Sequence, residues 1–265
     1  MTLAQAVKTA QHALAHLANP AAEALSLVLQ SQNFDRVEWM LRPDQALPDP
    51  MRFHGWLERR ITGESLAVIR GHADFMDYRL AVGPGVLVPR PDTETFSQVT
   101  LAPGPTLDLG CGSGAIARWV QDQDLGIVIA LDYALMALSY ARRNLPLSVG
   151  VVRGDWARCI ADSCIANVLA NPPYIDRDEP ELAGDGVRCE PLSALVAADQ
   201  GLSDIKMIAQ QACRILQPGG WLWIEHGYQQ APAVQGYLTQ LGFAEVQSLT
   251  DLLQHPRITG GQWNG

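Results

Sequence analysis

From about Pro103 to the C-terminus, short apolar segments with strand character alternate with segments of helical periodicity. The predicted strands are Thr106–Leu109, Ile127–Leu131, Gly150–Val152, Ile165–Ala170, Trp221–Glu225, Ala244–Ser248 and Arg257–Trp263. The predicted helices are Ala115–Gln121, Ala134–Asn144, Ser203–Leu216 and Ala231–Leu241. This alternation predicts an α/β fold in which a parallel, doubly wound sheet carries helices on both faces. Ligands of such sheets bind beyond the C-terminal ends of the strands, so the residues that follow each strand are the candidates for the site.

The residues before this sheet predict a small helical unit. Asn19-Pro20 and Asp49-Pro50 each supply a helix cap followed by a first-turn proline, and Asn33 is predicted to cap a helix that continues through Trp39–Leu41. Alternating apolar residues on both sides of Gly83-Pro84-Gly85 then predict a β-hairpin whose turn lies at these glycines. We therefore expect a helical unit over residues 1–74, a hairpin linker over 75–90 and a catalytic domain over 91–265.

Composition narrows the class of protein. The net charge of −9 argues against a protein that mainly binds nucleic-acid phosphates. The five cysteines form no C-x-x-C pair and the six histidines lack zinc-ligand spacing, so we expect free thiols and no metal. Because no apolar run reaches the ~18 residues of a membrane span and the N-terminus lacks signal-peptide features, we expect a cytoplasmic protein.

A glycine-rich loop follows the first predicted strand of the sheet. It consists of Gly110, Cys111, Gly112, Ser113 and Gly114, and glycines there let the backbone approach a ligand closely. Asp132 follows the next strand, where a carboxylate can accept hydrogen bonds from ribose hydroxyls. Both features serve NAD and S-adenosylmethionine equally well, so they predict a nucleoside-type cofactor without identifying it.

The next two strands are also followed by polar or aromatic residues. Gly154-Asp155-Trp156 offers a carboxylate for an adenine amino group and an indole to cover the ring. Asn171-Pro172-Pro173-Tyr174 offers two carbonyl acceptors, on the Asn171 side chain and the Pro172 main chain, and Pro173 restricts where the latter points. Two acceptors can bind both N–H bonds of a planar –NH2 group and free its lone pair, while Tyr174 packs against its plane. The motif thus predicts methylation of an amide or aromatic amine.

The whole set of motifs resembles the release-factor glutamine methyltransferases, the HemK or PrmC family. The matching stretches are Glu58-Arg59-Arg60 with Gly63-Glu64, Leu87–Glu94, Asp108–Gly114, Asp155-Trp156, Asn171–Ile175, Glu190-Pro191-Leu192 leading to Ala197–Gly201, and Glu225-His226-Gly227. The segment Ser65–Ile69 and the tail Leu252–Pro256 depart from the family pattern, which affects docking more than chemistry.

The resemblance implies a Rossmann-like methyltransferase domain with a helical N-terminal domain that docks the substrate. It implies that S-adenosylmethionine contacts Gly110–Gly114, Asp132, Trp156 and Asn171, and that S-adenosylhomocysteine is the product. It also implies that Asn171–Tyr174 hold the glutamine of the Gly-Gly-Gln motif in class-I peptide chain release factors. We expect a monomer without stable nucleic-acid binding.

Several alternatives and open roles remain at this point. An N6-adenine methyltransferase on DNA or RNA could use the Asn171–Tyr174 motif in the same way, because the exocyclic amine of adenine is also a planar –NH2 group. Such an enzyme would need a basic surface to bind the phosphates. A catalytically inert nucleotide-binding interaction protein would keep only the glycine loop, and an NAD oxidoreductase would need a proton donor that we do not find. Arg90, Glu94 and His226 have no assigned role. The tail tripeptide Gly260-Gly261-Gln262 matches the substrate motif, and we expect that match to be a coincidence within a strand.

Overall fold

The computed structural model describes residues 1–184 and 186–265. The chain folds into two units, one formed by residues 1–72 with 183–189 and the other by residues 73–182 with 190–265. The segment 183–189 was not expected in the helical unit. It belongs there because Gly63, with φ +102°, leaves room for the guanidinium of Arg188, which a Cβ at Gly63 would approach to 2.3 Å.

Over residues 1–72 the first unit has five α-helices: α1 (Leu3–Ala13), α2 (Pro20–Gln32), α3 (Arg36–Leu41), α4 (Pro50–Ile61) and α5 (Leu66–Arg70). Asn19 and Asp49 cap α2 and α4 through their side chains, as predicted. The prediction that Asn33 caps α3 is wrong. Asn33 ends α2 in the left-handed conformation, and Asp35 caps α3 because Glu38 three residues later completes a capping box.

The core of this helical unit is small and apolar. Leu3, Leu27, Phe53 and Leu57 are among the residues that pack together in it. A buried arginine, Arg60, lies beside this core and binds Glu23.

The prediction of a hairpin turn at Gly83–Gly85 is also wrong, because the hairpin lies earlier in the chain. Its strands are β1 (His72–Phe75) and β2 (Tyr78–Ala81), and Met76 takes a left-handed φ of 49° in the turn. That conformation is sustained by a hydrogen bond from the Met76 N–H to Glu94 Oε1 at 2.8 Å. The glycines instead permit close packing, since a Cβ on Gly83 would lie 2.2 Å from the Tyr140 hydroxyl.

The second unit contains a seven-stranded sheet with the order β5-β4-β3-β6-β7-β9-β8. Its strands are β3 (Thr106–Leu109), β4 (Val128–Asp132), β5 (Gly150–Arg153), β6 (Ile165–Ala170), β7 (Leu216–Glu225), β8 (Phe243–Thr250) and β9 (Pro256–Trp263). The α/β class and the strands are confirmed, and the neighbouring pairs from β5 through β7 are parallel. The sheet is not wholly parallel, because β9 runs antiparallel to both β7 and β8.

Helices cover both faces of the sheet. They are α6 (Ala115–Gln121), α7 (Leu135–Asn144), α8 (Ser203–Ile215) and α9 (Ala231–Leu241), close to their predicted bounds. One apolar core packs residues of α8 and α9 against the sheet, and a second packs residues of α6 and α7. Because helices cover both faces of the sheet at β3 and β6, side chains on both sides of these strands are buried along their full length.

The Gly-Gly-Gln tripeptide of the tail is part of β9, in the sheet between β7 and β8. Gly260 lies opposite Trp223, and a Cβ there would approach the Trp223 ring to 2.1 Å. The side chain of Gln262 donates to the Gly219 carbonyl at 3.1 Å. Packing against Trp223 therefore accounts for Gly260, and close packing against β8 accounts for Gly261, where a Cβ would lie 3.0 Å from the Ala244 carbonyl oxygen.

Among the described residues, none of the helices has the length and apolar character that crossing a membrane requires.

Candidate active site

A cavity of about 440 Å³ lies in the second unit, where β3, β4, β5 and β6 end. This volume is within the range of small-molecule sites, ~300–1,000 Å³. Most of the predicted cofactor residues line it: Gly110, Cys111, Gly112, Ser113, Asp132, Asp155, Trp156 and Asn171. Pro173 lines it as well, whereas Gly114, Pro172 and Tyr174 are next to the cavity in sequence without lining it.

The glycine loop takes a conformation that only glycine adopts readily. Gly110, Gly112 and Gly114 have φ angles of 72°, 55° and 86°. The N–H groups of Gly110 and Cys111 both donate to the Leu131 carbonyl, at 2.8 and 3.0 Å, which ties the loop to the end of β4. The loop therefore forms one wall of the cavity with its backbone.

Asp132 is held in place by two backbone hydrogen bonds. Its Oδ2 accepts from the Gly112 N–H at 3.0 Å and its Oδ1 accepts from the Ala134 N–H at 2.8 Å. Burial raises the pKa of Asp132, while these N–H groups lower it. Each oxygen can accept a second hydrogen bond, so the carboxylate is available to ribose hydroxyls at the edge of the cavity.

A second carboxyl, on Asp108, lies beneath the loop and was not assigned a role from the sequence. It is completely buried, and its Oδ2 accepts from the Ala117 N–H at 2.9 Å. Its Oδ1 has no partner among the described residues. Burial raises the pKa of Asp108 to about 7, and this carboxyl anchors the start of α6 to β3.

Trp156 takes an uncommon backbone conformation. Its φ of 45° is uncommon for a bulky side chain, and such outliers concentrate at binding sites. The indole lies against Gly110, where a Cβ would be 3.3 Å from the ring. Asp204 lines the cavity and was missed because it lies in the first turn of α8, where an acidic residue is ordinary, and no strand ends directly before it. Asp155 forms an ion pair with Arg158 at 2.7 Å.

The loop after β6 presents two carbonyl acceptors. Asn171 donates its side-chain Nδ2–H to Thr93 Oγ1 at 3.1 Å. Its Oδ1 and the Pro172 carbonyl accept no hydrogen bond within residues 1–184 and 186–265. Asn171 lines the cavity, whereas Pro172 is buried and does not, so its role as the second acceptor stays a prediction.

Tyr174 anchors this loop to the protein. Its hydroxyl donates to Glu225 Oε1 at 3.2 Å, and burial raises the pKa of the phenol. Its carbonyl accepts from Gln230 Nε2 at 3.0 Å. Gly201, with φ +80°, is required beside it, because a Cβ there would lie 2.0 Å from the Tyr174 carbonyl oxygen. The contact between the Tyr174 ring and a substrate amide stays a prediction.

The three residues without an assigned role have structural partners. Arg90 forms an ion pair with Glu190, and Glu94 accepts from the Met76 N–H. His226 is completely buried between the Gly227 carbonyl and the Thr259 hydroxyl, and burial lowers its pKa to about 4. None of them lines the cavity, but Thr93, which lies between Arg90 and Glu94 in sequence, does.

Comparison with protein families gives two matches. Residues 5–71 match the PrmC N-terminal domain, and residues 79–183 match the methyltransferase small domain.

Curated relatives match most of the chain. The release factor glutamine methyltransferase of Vibrio cholerae is 36% identical and covers 99% of this chain and 97% of its own length. That of Pseudomonas aeruginosa is 43% identical over 80% of each chain, and that of Escherichia coli is 38% identical over 78% of each chain.

Solved structures resemble the fold at low sequence identity. A methyltransferase from Pyrococcus furiosus aligns with a TM-score of 0.55 and 16% identity, covering 78% of this chain and 97% of that one. The T. thermophilus 16S rRNA N2 G1207 methyltransferase, solved with AdoMet and guanosine, gives a TM-score of 0.51 and 15% identity, covering 73% and 44%. These likenesses establish a Rossmann-like methyltransferase fold.

Proposed function

The chain belongs to the release factor glutamine methyltransferases, and on this premise we propose that it methylates the glutamine side-chain amide in the Gly-Gly-Gln motif of class-I peptide chain release factors. The methyl group comes from S-adenosylmethionine, and S-adenosylhomocysteine is the other product. The observation that carries this proposal is the Asn171 carboxamide, whose oxygen accepts no hydrogen bond from the described residues and which lines a cavity suited to the cofactor, with the Pro172 carbonyl next to it in sequence.

The residues of the cavity fit S-adenosylmethionine. The left-handed glycines leave room for a ligand against the backbone, and the Asp132 carboxylate has free acceptor capacity where a ribose is expected. Trp156 and Asp155 line the part of the cavity expected to hold the adenine. When bound, the cofactor supplies an electrophilic sulfonium methyl group.

The work of the chain is then to bind and orient the nucleophile. An amide nitrogen is a poor nucleophile because its lone pair is delocalised into the carbonyl. The Asn171 Oδ1 and the Pro172 carbonyl would accept its two N–H bonds, leaving the lone pair directed toward the methyl group. Holding reactants in such a geometry is a large source of rate. The methylated nitrogen is strongly acidic and loses its proton without a strong base.

The direct test is mass spectrometry of a release factor incubated with the protein and S-adenosylmethionine. We expect the mass of one methyl group on the glutamine of the Gly-Gly-Gln peptide, and no product when that glutamine is replaced by alanine. The N6-adenine alternative is not favoured, given the relatives and the net charge of −9. Faster transfer of labelled methyl to DNA than to the factor would overturn the substrate assignment.

We further propose that the helical unit docks the release factor, that the protein acts as a monomer in the cytoplasm, and that it binds nucleic acid only weakly. The match of residues 5–71 to the PrmC N-terminal domain supports the docking role. So do four exposed apolar side chains of α3 and α4: Val37, Met40, Leu41 and Met51.

The docking role predicts an effect on KM alone. Met40→Glu should raise the KM for intact factor about tenfold, as loss of a well-placed interface contact does. Cofactor affinity should be unchanged. Leu147→Glu, at a fully exposed leucine of the other unit, is the control, and equal effects of the two changes would contradict the docking role.

A further inference from the structure

We propose that Gln230 is a positioning residue for methyl transfer, because it holds the C-terminal end of the loop Asn171–Tyr174 and thereby keeps the Asn171 carboxamide in place. The inference rests on the proposed function, since it concerns how the same site orients its substrate. Gln230 does not line the cavity, so it acts through the backbone groups that it binds.

The side chain of Gln230 binds three backbone groups. Its Oε1 accepts from the Gly227 N–H at 2.8 Å, and its Nε2 donates to the carbonyls of Tyr174 and Gln200 at 3.0 and 2.9 Å. The orientation of the Gln230 carboxamide follows from these partners, because a backbone N–H can only donate and a backbone carbonyl can only accept. Both N–H bonds of the amide are therefore used, one on the loop after β6 and one on the turn at Gln200.

The backbone of Gln230 is fixed at the start of α9. Its N–H donates to the Gly227 carbonyl at 2.8 Å, and its carbonyl accepts from the Val234 N–H at 3.0 Å. A polar side chain at this position ordinarily caps the helix. The Gln230 side chain makes no such bond to α9. A rigid element therefore presents this side chain to the loop Asn171–Tyr174.

The turn that shares Gln230 with this loop has an unfavourable backbone. Asp199, Gln200 and Gly201 have φ angles of 57°, 55° and 80°, and consecutive left-handed residues are rare because Cβ atoms approach the following carbonyl oxygen. Such conformations persist where the surroundings hold them. A Cβ on Gly201 would lie 2.0 Å from the Tyr174 carbonyl oxygen and 2.6 Å from Gln230 Nε2. The turn is thus packed against the hydrogen bond that holds Tyr174.

The loop Asn171–Tyr174 is therefore held at both ends. Asn171 continues directly from β6 and donates to Thr93 Oγ1 at 3.1 Å, and the Tyr174 carbonyl is bound by Gln230. The two prolines between these ends restrict rotation of the backbone. Release of the Tyr174 carbonyl would let the loop shift as a unit and carry the Asn171 oxygen away from the target nitrogen. Misplacement of a reacting group by about 1 Å lowers rates by up to about 100-fold.

The first test exchanges the amide for a carboxylate. Gln230→Glu keeps the acceptor for Gly227 but sets an oxygen against both carbonyls, so kcat should fall about tenfold or more while the cofactor Kd and the KM for the factor stay near wild type. Gln229→Glu makes the same change of charge at the adjacent exposed position, whose side chain donates to the Tyr228 hydroxyl, and should leave kcat unchanged. Gln230→Met removes the amide without adding a charge and should also lower kcat, which covers a failure of Gln230→Glu to fold.

The second test separates positioning from stability. Residues that act as a unit have non-additive effects, so adding Gln230→Glu to Asn171→Ala should lower kcat by no more than about twofold further. A merely structural role would lower kcat by the same factor in both backgrounds, and that result would overturn the inference.

The third test approaches the same contact from the turn. Gly201→Ala would press a methyl group against the Tyr174 carbonyl, so kcat should fall at least as far as in Gln230→Glu. Gly219→Ala is the matched control, because Gly219 has a similar φ of 82° and its added carbon would meet nothing within 4 Å. Equal kcat values in the two variants would overturn the role of this contact.

Hydrogen exchange gives a readout without activity. The Ile175 N–H donates to the Leu195 carbonyl at 2.9 Å, and the Ala197 N–H donates to the Ile175 carbonyl at 3.0 Å. Peptides that contain these amides should exchange at least about tenfold faster in Gln230→Glu than in wild type or Gln229→Glu. Wild-type kcat or unchanged exchange in Gln230→Glu would overturn the inference. If wild type itself leaves release factors unmodified, the proposed function fails, yet the exchange comparison still decides whether Gln230 holds the loop.

Discussion

The side of the cavity proposed to bind the cofactor, here the cofactor side, and the side proposed to bind the substrate, here the substrate side, are built in different ways. The cofactor side is made by backbone: left-handed glycines, N–H groups tied to Leu131, and a carboxylate at Asp132 held by two further N–H groups. The substrate side is made by side chains from distant parts of the chain, since Thr93, Glu225 and Gln230 hold Asn171 and Tyr174. We infer that the first side tolerates changes in its neighbours, whereas the second depends on partners far away in sequence.

The strongest test of this contrast is Asn171→Ala. Loss of the group that orients the nucleophile should lower kcat at least ~100-fold, because positioning is the main source of rate here. Affinity for intact factor should persist, and the cofactor Kd should change less than turnover does. These are measured by single-turnover methylation and by calorimetry. A fall in factor affinity as large as the fall in kcat would mean that Asn171 binds substrate without orienting it.

Asp132→Ala tests the cofactor side, and it should weaken cofactor binding while affecting turnover little. Loss of hydrogen bonds to a charged acceptor should weaken S-adenosylmethionine binding by roughly 1.5–3 kcal/mol, while kcat at saturating cofactor changes little. Calorimetry measures the affinity for S-adenosylmethionine. Asp132→Asn retains one acceptor oxygen, so its affinity should lie between those of wild type and Asp132→Ala. Unchanged affinity in the alanine variant would remove Asp132 from the site.

The same contrast explains how much of each side of the cavity could be predicted from the sequence. Glycines, a strand-end aspartate and Asn171–Tyr174 are local patterns, so periodicity and motif spacing located β3, β4 and β6 and the residues after them. Thr93 was not found, because a threonine in the first turn of a helix ordinarily indicates a cap, and its partner lies 78 positions away. Asp204 was missed for a similar reason.

The errors in the fold also have local causes. Gly83–Gly85 carries a turn signal, but the glycines there accommodate Tyr140, and the turn falls at Met76, where a tertiary hydrogen bond to Glu94 supports a left-handed methionine. Asn33 is equally suited to start one helix or to end another, and the capping box at Asp35 decides between them. The antiparallel direction of β9 depends on pairing with both β7 and β8, which no local pattern encodes.

The smallest effect on turnover is expected from His226→Gln, although a histidine after a strand near the site suggests a catalytic base. Its pKa is lowered to about 4 by burial, which makes it a weak base, and both ring nitrogens have partners, so neither is free to accept a substrate proton. A true base would be worth about 10²–10⁴-fold in kcat, so a change of only about twofold would exclude that role.

Stability, in contrast, should respond to the loss of His226. Removing buried hydrogen bonds should cost about 1–3 kcal/mol at neutral pH, measured by urea unfolding. In wild type the unfolded chain binds a proton at His226 that the folded protein does not, so stability falls as the pH drops from 6.5 toward 4. Glu225 acts in the opposite direction between 4.5 and about 7, where the folded state holds the extra proton. Asp108, whose pKa burial also raises to about 7, acts in the same direction as Glu225. Replacing His226 alone should therefore expose the combined contribution of the two carboxyls as a rise in stability on acidification, and a variant that still loses stability between those values would show that their pKa shifts do not oppose that of His226.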